Sequence, residues 1–202
     1  MVEFLAKGGI LVPPILMCSV LALAIFVERL IRFSTMRSRG AGLAEKIVGL
    51  IHAGKEKDAY DAAMRSNSPM GRVLAQAIGV RDQDRDIIET VLASATENEV
   101  RNLSTYTQAL ATIGNIAPLL GLLGTVFGMI KAFMVIQQMG GKVNAAVLAG
   151  GIWEAMLTTA LGLCVALPTM VAHSYLMARI DAYEAKLQEG SVKFLTAVLK
   201  KP

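Results

Sequence analysis

Residues 144–176 read NAAVLAGGIWEAMLTTALGLCVALPTMVAHSYL, and Glu154 is the only Asp, Glu, Lys or Arg residue among them. The stretch is longer than the roughly 20 apolar residues that cross a bilayer. A charged side chain inside such a span costs roughly 2.5 to 3.5 kcal/mol on insertion scales, so it marks an ion or substrate path by default. The stretch therefore predicts a membrane helix that carries one functional acid.

The composition extends this prediction to the whole chain. Of its 202 residues, 54% are hydrophobic and 18% are charged, and the mean hydropathy is +0.52. Three segments are long and apolar enough to span a bilayer, and the first is interpreted as an uncleaved signal anchor because no small-residue cleavage site follows it. The sequence predicts an all-α membrane protein of one unit, 1–202, with spans at about 9–33, 109–137 and 145–176, a helical cytoplasmic loop at about 34–108 and a cytoplasmic tail at 177–202.

The distribution of basic residues predicts the orientation. Eleven Lys and Arg residues lie in the stretch from Arg32 to Arg101, and five lie after Ala178. The N-terminus carries only Lys7, and the turn between the second and third spans carries only Lys142. The positive-inside rule places the loop and the tail in the cytoplasm and the N-terminus outside. The net charge of +4 is thus explained by topology, and a nucleic-acid partner is not expected.

The cysteines and histidines do not form a recognisable site. Cys18 and Cys164 lie in different predicted spans, where an unpaired cysteine behaves as a small hydrophobic residue, so no disulfide is expected. His52 and His173 have no Cys or acidic companions at ligand spacing. No metal and no cofactor are expected.

The predicted loop is helical. Mixed apolar and charged faces favour helices at 43–52 and 55–64, and a short helix follows from about Pro69. Between Asp86 and Gln137 the only strong breaker is Pro118, within the membrane. The second span is therefore expected to continue into the cytoplasm as one rod of roughly 75 Å.

The third span has one small and polar face. At 100° per residue its small and polar residues, except Ala160 and Cys164, fall with Glu154 in an arc of roughly 140°. The arc contains Gly151, Glu154, Ala155, Thr158, Thr159, Gly162 and Ala166. The opposite side carries Ile152, Trp153, Met156, Leu157, Leu163 and Leu167, which suit lipid or packing.

The second span repeats this pattern. Gly114, Pro118, Gly121, Gly124, Thr125 and Gly128 share one face, and Leu119, Leu123, Phe127, Ile130 and Met134 point away. Small residues let membrane helices approach closely, and this is the favoured interpretation of the glycines. Packing does not require a carboxylate, so Glu154, Thr125, Thr158 and Thr159 are interpreted as a pore-lining or proton-pathway set instead. Three spans are too few to enclose a pore, so an oligomer and a second kind of subunit are expected.

Two segments resemble a known family. Residues 121–129, GLLGTVFGM, and 151–163, GIWEAMLTTALGL, are similar to the paired signatures of the MotA/TolQ/ExbB proton-channel family, and most similar to its ExbB and TolQ branch. Trp153 and Thr158 stand where the best-known members carry smaller apolar residues, which leaves the branch open.

The resemblance implies the stator of a proton-driven motor. In that family five copies form a ring in the inner membrane, and the second and third helices line a lumen. The lumen holds two transmembrane helices of an ExbD-like or TolR-like partner, whose aspartate takes up the proton. The resemblance places Thr125, Glu154 and Thr159 on the family's pore-facing Thr, Glu and Thr. It also implies a TonB-like or Tol-system protein as a further partner, and protons as the coupling ion.

Two other classes of function remain open. A membrane scaffold that conducts no ions would have the same small-residue faces but should tolerate loss of Glu154. An intramembrane enzyme is disfavoured, because the chain has no HExxH motif, no Asp in the three predicted spans and no Ser-His pair at a plausible spacing. The residues alone also leave proton against sodium open, since one carboxylate and three hydroxyls could serve either ion.

Overall fold

The computed structural model describes residues 9–40, 42–138 and 145–199, and over these ranges it is helical with no strand. Its helices are α1 Val12–Arg39, α2 Leu43–His52, α3 Glu56–Arg65, α4 Pro69–Gly79, α5 Arg85–Leu103, α6 Thr107–Gln138 and α7 Ala145–Leu199. The all-α prediction is confirmed. The predicted outer N-terminus with Lys7 and the turn with Lys142 lie outside the described residues.

Three helices are long and apolar enough to cross a membrane. They are Val12–Ser34 within α1, Thr107–Gln138, and Leu148–Leu199 within α7, with mean hydropathies of 2.1, 2.1 and 1.8. A helix satisfies its backbone hydrogen bonds internally, which is the condition for crossing hydrocarbon. The prediction of three membrane helices is confirmed.

Helix α7 extends far beyond the length that a bilayer needs. It contains 55 residues, which corresponds to roughly 80 Å at 1.5 Å per residue, against a hydrocarbon core of about 30 Å. Pro168 lies inside the helix without ending it, and Gly190 is helical as well. The residues after 176 therefore continue the third membrane helix as far as Leu199.

The predicted rod through the second span is wrong. Helix α5 ends at Leu103 and α6 begins at Thr107. Between them the Ser104 hydroxyl donates to the carbonyl of Val100 at 2.9 Å, and Tyr106 has a left-handed φ of 65°. Hydroxyl side chains that bond to the nearby backbone compete with the helical pattern. The break is therefore made by a Ser-Thr-Tyr turn and not by glycine or proline.

The predicted helices of the loop are confirmed as α2, α3 and α4. Helix α4 begins as its sequence suggests, with Pro69 at the first helical position. The Ser68 hydroxyl oxygen accepts a hydrogen bond from the backbone N–H of Gly71 at 3.1 Å. An N-cap of this kind satisfies one of the four free donors at a helix start.

The chain divides into two compact units. The membrane unit takes in the described residues up to Val27 together with Tyr106–Tyr175, and the loop unit takes in Glu28–Thr105 together with the chain from Leu176 onward. The loop unit has a continuous apolar core, in which Ile47, Leu74, Leu187 and Phe194 are fully buried. Leu187 and Phe194 lie seven residues apart on α7, so they share one face of that helix. The end of α7 is therefore part of this core.

Candidate functional site

The small residues of α6 face α7 within the membrane unit. Gly114, Ala117, Gly121, Gly124, Gly128 and Ala132 are all buried at intervals of three or four residues. A Cβ on Gly121 would lie 3.0 Å from the carbonyl oxygen of Thr158, and a Cβ on Gly128 would lie 3.1 Å from that of Gly151. No larger side chain fits at this separation without a shift. The predicted packing glycines of α6 thus lie where the two helices approach closely.

The close contact between α6 and α7 also depends on glycines of α7. A Cβ on Gly162 would lie 2.6 Å from the carbonyl oxygen of Ala117, and a Cβ on Gly151 would lie 2.5 Å from the Cβ of Ala132. Pro118 is partly exposed, one position beyond Ala117. Close approach of this kind is how membrane helices associate when lipid is as apolar as the side chains.

Glu154 is paired with a basic residue. The Nζ of Lys131 on α6 donates to Oε2 of Glu154 on α7 at 3.0 Å. The other carboxylate oxygen lies against Gly9, where a Cβ would overlap Oε1. Gly9 has a φ of 73°, a conformation that glycine adopts at no steric cost. The carboxylate is thus held between α6 and the segment that precedes α1.

A small open cavity of about 310 Å³ adjoins this pair. It is lined by Gly9, Ile10, Leu11, Gly124, Phe127, Gly128, Lys131, Glu154 and Thr158. Its walls are largely apolar, with the ion pair and one hydroxyl as the polar groups. Of the predicted set, the structure therefore brings Glu154 and Thr158 to one cavity and leaves Thr125 and Thr159 outside its lining.

Thr158 is buried in the contact between the helices. Its side chain is 2% exposed, and its hydroxyl donates to the carbonyl of Ala155 at 2.8 Å. It also lies within 3.5 Å of the carbonyl of Gly121. The hydroxyl therefore has backbone acceptors on both helices.

Thr125 and Thr159 are partly exposed and lie close to one stretch of α6. The Thr159 hydroxyl donates to the carbonyl of Gly121 at 3.1 Å. The Thr125 hydroxyl donates to the carbonyl of Leu122, three residues earlier on α6, at 2.6 Å. A hydroxyl oxygen that donates its proton can still accept a hydrogen bond. These two residues thus offer acceptor oxygens at the edge of the α6–α7 contact.

The bulky residues predicted to point away from the contact are exposed. Leu119, Leu123, Phe127, Ile130 and Met134 on α6, and Ile152, Trp153, Met156, Leu163 and Leu167 on α7, are all among the exposed large hydrophobic residues. Leu157 differs, because it is 9% exposed and packs inside the chain. Exposed apolar surface of this extent on a membrane helix suits lipid or other subunits.

Lys131, the partner of Glu154, is a site residue that was not predicted from the sequence. A helical wheel contains the signal, since at 100° per residue Lys131 falls roughly 20° from Gly124, at the edge of the small-residue face. A basic residue on the face that meets an acid-bearing helix is its natural counter-ion. Gly9 carries no comparable signal, because its contact depends on the chain before α1.

Cys18 and Cys164 are both free, and Cys164 is exposed. Within the described part of the chain, no group of three or more His, Cys, Asp or Glu residues could hold a metal ion. His52 is exposed at the end of α2, and His173 is half-buried on α7. Among the described Asp, Glu, Lys and Arg residues, the membrane unit thus offers the paired Glu154 and Lys131, together with several hydroxyls.

Comparison with known proteins identifies the family that this chain resembles. The model of the MotA/TolQ/ExbB proton channel family matches residues 65–189, which is more than half of the chain. The chain is 31% identical over 166 residues to the biopolymer transport protein ExbB-like 3 of Synechocystis sp., with 81% of this chain and 79% of the relative covered. It is 30% identical over 192 residues to the biopolymer transport protein ExbB of Salmonella typhimurium, with 90% and 77% covered. It is 37% identical over 91 residues to the Tol-Pal system protein TolQ of Haemophilus influenzae, with 45% and 39% covered.

Proposed function

Because this chain belongs to the MotA/TolQ/ExbB proton channel family, we propose that it is the stator subunit of a motor in the inner membrane, driven by the proton-motive force. The motor is of the ExbB–ExbD or TolQ–TolR type, and it couples ion flow to an envelope process such as TonB-dependent import. The observation that carries the proposal is the pair of partly exposed hydroxyls, Thr125 and Thr159, bonded to the adjacent carbonyls of Leu122 and Gly121.

We propose that these hydroxyls hold the ion-carrying acid of a partner. An ionised carboxylate is costly against apolar wall, and acceptance of hydroxyl hydrogen bonds lowers that cost. Each threonine proton can be redirected from its backbone carbonyl to a partner carboxylate, since a hydroxyl rotates to suit its acceptor. Protonation of the partner carboxylate would remove its charge, so that the partner would no longer be held at the two hydroxyls. The membrane potential contributes about 2.3 kcal/mol per elementary charge per 100 mV to each such passage.

The proposed assembly is a ring of five copies around two single-span partner helices of the ExbD or TolR kind, with a TonB-like or Tol-system protein as a further partner. Three membrane helices per chain cannot enclose a lumen, and the exposed apolar faces of α6 and α7 suit contact with neighbours or lipid. The proposed orientation has the N-terminus in the periplasm and the loop unit in the cytoplasm, as the basic residues indicate. The proposed work is coupling and not catalysis of a bond.

The first experiment is to purify the tagged protein from its native membrane in mild detergent and to measure the mass of the intact complex. A five-copy ring that retains a single-span protein with a membrane-embedded aspartate is expected. A ring or monomer that repeatedly lacks such a partner under gentle extraction would contradict the motor. The periplasmic domain of the partner would also distinguish the ExbB from the TolQ branch.

The second experiment tests the hydroxyls directly. We expect Thr125→Val with Thr159→Val to abolish proton-dependent activity, since valine keeps the shape but cannot bond a carboxylate. Thr125→Ser with Thr159→Ser is the matched control and should retain activity. Wild-type activity in the double valine variant would refute this role.

The alternative is a scaffold that anchors partner proteins without conducting ions. The packed glycine faces of α6 and α7 would serve it equally well. Glu154→Gln distinguishes the two functions, since a scaffold needs no charge at this position. Unchanged activity in that variant, together with proton-independent activity, would favour the scaffold.

A further inference from the structure

The ion pair between Lys131 and Glu154 joins α6 to α7 beside the cavity. The Nζ of Lys131 lies 3.0 Å from Oε2 of Glu154. The glutamate side chain is 20% exposed, whereas the lysine side chain is 68% exposed. The lysine thus reaches over a less accessible carboxylate with a long and flexible stem.

The described surroundings of Glu154 contain one other charge. Residues 9–11 line the cavity with no charged side chain, α6 contributes Lys131, and α7 contributes Glu154 itself. Thr158 adds only a hydroxyl. Within the described lining of this cavity, the charge of the carboxylate is therefore balanced by Lys131.

A carboxylate in apolar surroundings needs a counter-ion, and it binds whichever cation is at hand. The ammonium group of Lys131 is such a counter-ion, and it is supplied by the protein itself. A second cation at the same carboxylate would be repelled by the ammonium at short range. The pair thus disfavours coordination of a metal cation by Glu154.

We propose that Lys131 is the built-in counter-ion of Glu154 and keeps this carboxylate from binding a mobile Na⁺ ion. Glu154 is then a fixed and neutralised group beside the ion path, and the transported ion does not stop there. Lys131 is a positioning residue, because it acts through Glu154. This inference deepens the proposed function, since it defines how Glu154 takes part in the same site.

The test measures cation dependence of stability and needs neither ion flux nor a partner. Full-length wild type, Lys131→Met, Lys131→Arg, Glu154→Gln and the double variant Lys131→Met/Glu154→Gln are purified in lipid nanodiscs. The midpoint of thermal unfolding is recorded at one pH, in NaCl and in the chloride of a large organic cation. The exchange of salts reports Na⁺ binding.

In wild type and Lys131→Arg, the midpoint should depend on Na⁺ no more than in Glu154→Gln. In Lys131→Met the unpaired carboxylate should acquire a mobile counter-ion, so Na⁺ should raise the midpoint by at least about 3 °C. This dependence should vanish in the double variant, which has no charge at either position. The difference between Lys131→Met and the double variant isolates the carboxylate.

Two results would overturn the inference. One is a Lys131→Met protein with the same dependence as the double variant, and the other is a wild type as dependent as Lys131→Met. If Lys131→Met yields no folded protein, the double variant should still fold, because it leaves no unpaired charge. Failure of both would show that Lys131 does not act through Glu154. Loss of ion flux in any variant would concern the proposed function and leave this inference standing.

Discussion

Thr158 on α7 occupies the space that a side chain on Gly124 of α6 would need. A Cβ added to Gly124 would overlap the hydroxyl of Thr158, and Thr158 is 2% exposed. Both residues are therefore fixed by one contact between two membrane helices. The hydroxyl of Thr158 is satisfied by the carbonyl of Ala155 at 2.8 Å, so it can be buried there without an unmet polar group.

We expect Gly124→Ala to destabilise the membrane unit by about 1–3 kcal/mol, the usual cost of overpacking. Thermal unfolding of the purified protein in detergent would measure the loss. Gly150→Ala is the matched control, since nothing lies within 4 Å of a Cβ there. Thr158→Ala removes the hydroxyl and the methyl group but keeps the Cβ, which would lie 2.5 Å from a Cβ on residue 124, so it should restore only part of the stability lost in Gly124→Ala. Equal stability of Gly124→Ala and Gly150→Ala would contradict this contact.

The three membrane helices could be predicted because a bilayer demands long apolar helices, which hydropathy detects directly. The break at Ser104–Tyr106 could not, since it has neither glycine nor proline and depends on side-chain hydroxyls that bond to the backbone. The continuation of α7 to Leu199 could not be predicted either. Pro168 and Gly190 are residues that often end a helix, but here they lie inside α7. The pairing of Lys131 with Glu154 joins residues 23 positions apart, and such a contact follows from tertiary packing.

The loop unit contains one ion pair that should matter for stability. Arg72 donates two hydrogen bonds to Glu99, at 2.7 and 2.6 Å, and the Glu99 side chain is 8% exposed. Arg72→Met would leave a buried carboxylate unpaired, which should cost about 3 kcal/mol, the low end for buried pairs because Arg72 is 40% exposed. Denaturant unfolding would measure this cost.

The control for Arg72 is the exposed pair of Arg101 and Glu97, whose side chains are 76% and 72% exposed. Arg101→Met should cost at most about 1 kcal/mol, as surface pairs do. Arg72→Met combined with Glu99→Met should be more stable than Arg72→Met alone, because the unpaired charge is gone. A single variant no worse than Arg101→Met would show that Glu99 finds another partner.

Glu45 on α2 should give the loop unit a small dependence on acid. A hydrogen bond from Lys193 is the main cause that lowers the pKa of the Glu45 carboxyl group below its ordinary value. A lowered folded-state pKa contributes stability above the ordinary value, and the contribution is lost as the pH falls through the folded-state pKa. Glu45→Gln should flatten that part of the pH profile of unfolding. The effect should shrink in high salt because the pair is exposed, and a salt-insensitive effect would contradict this origin.

The end of α7 should be as important to the loop unit as its own short helices. Phe194 is fully buried in the apolar core with Leu74 and Ile47, although it lies beyond the length of α7 that a bilayer requires. Phe194→Ala should cost about 3–5 kcal/mol, the usual loss for a buried aromatic residue. Leu199→Ala, at a side chain that is 46% exposed, is the control and should cost far less. If both variants unfold at the same denaturant concentration, the end of α7 does not belong to this core. If only Phe194→Ala is destabilised, the end of α7 belongs to the core of the loop unit.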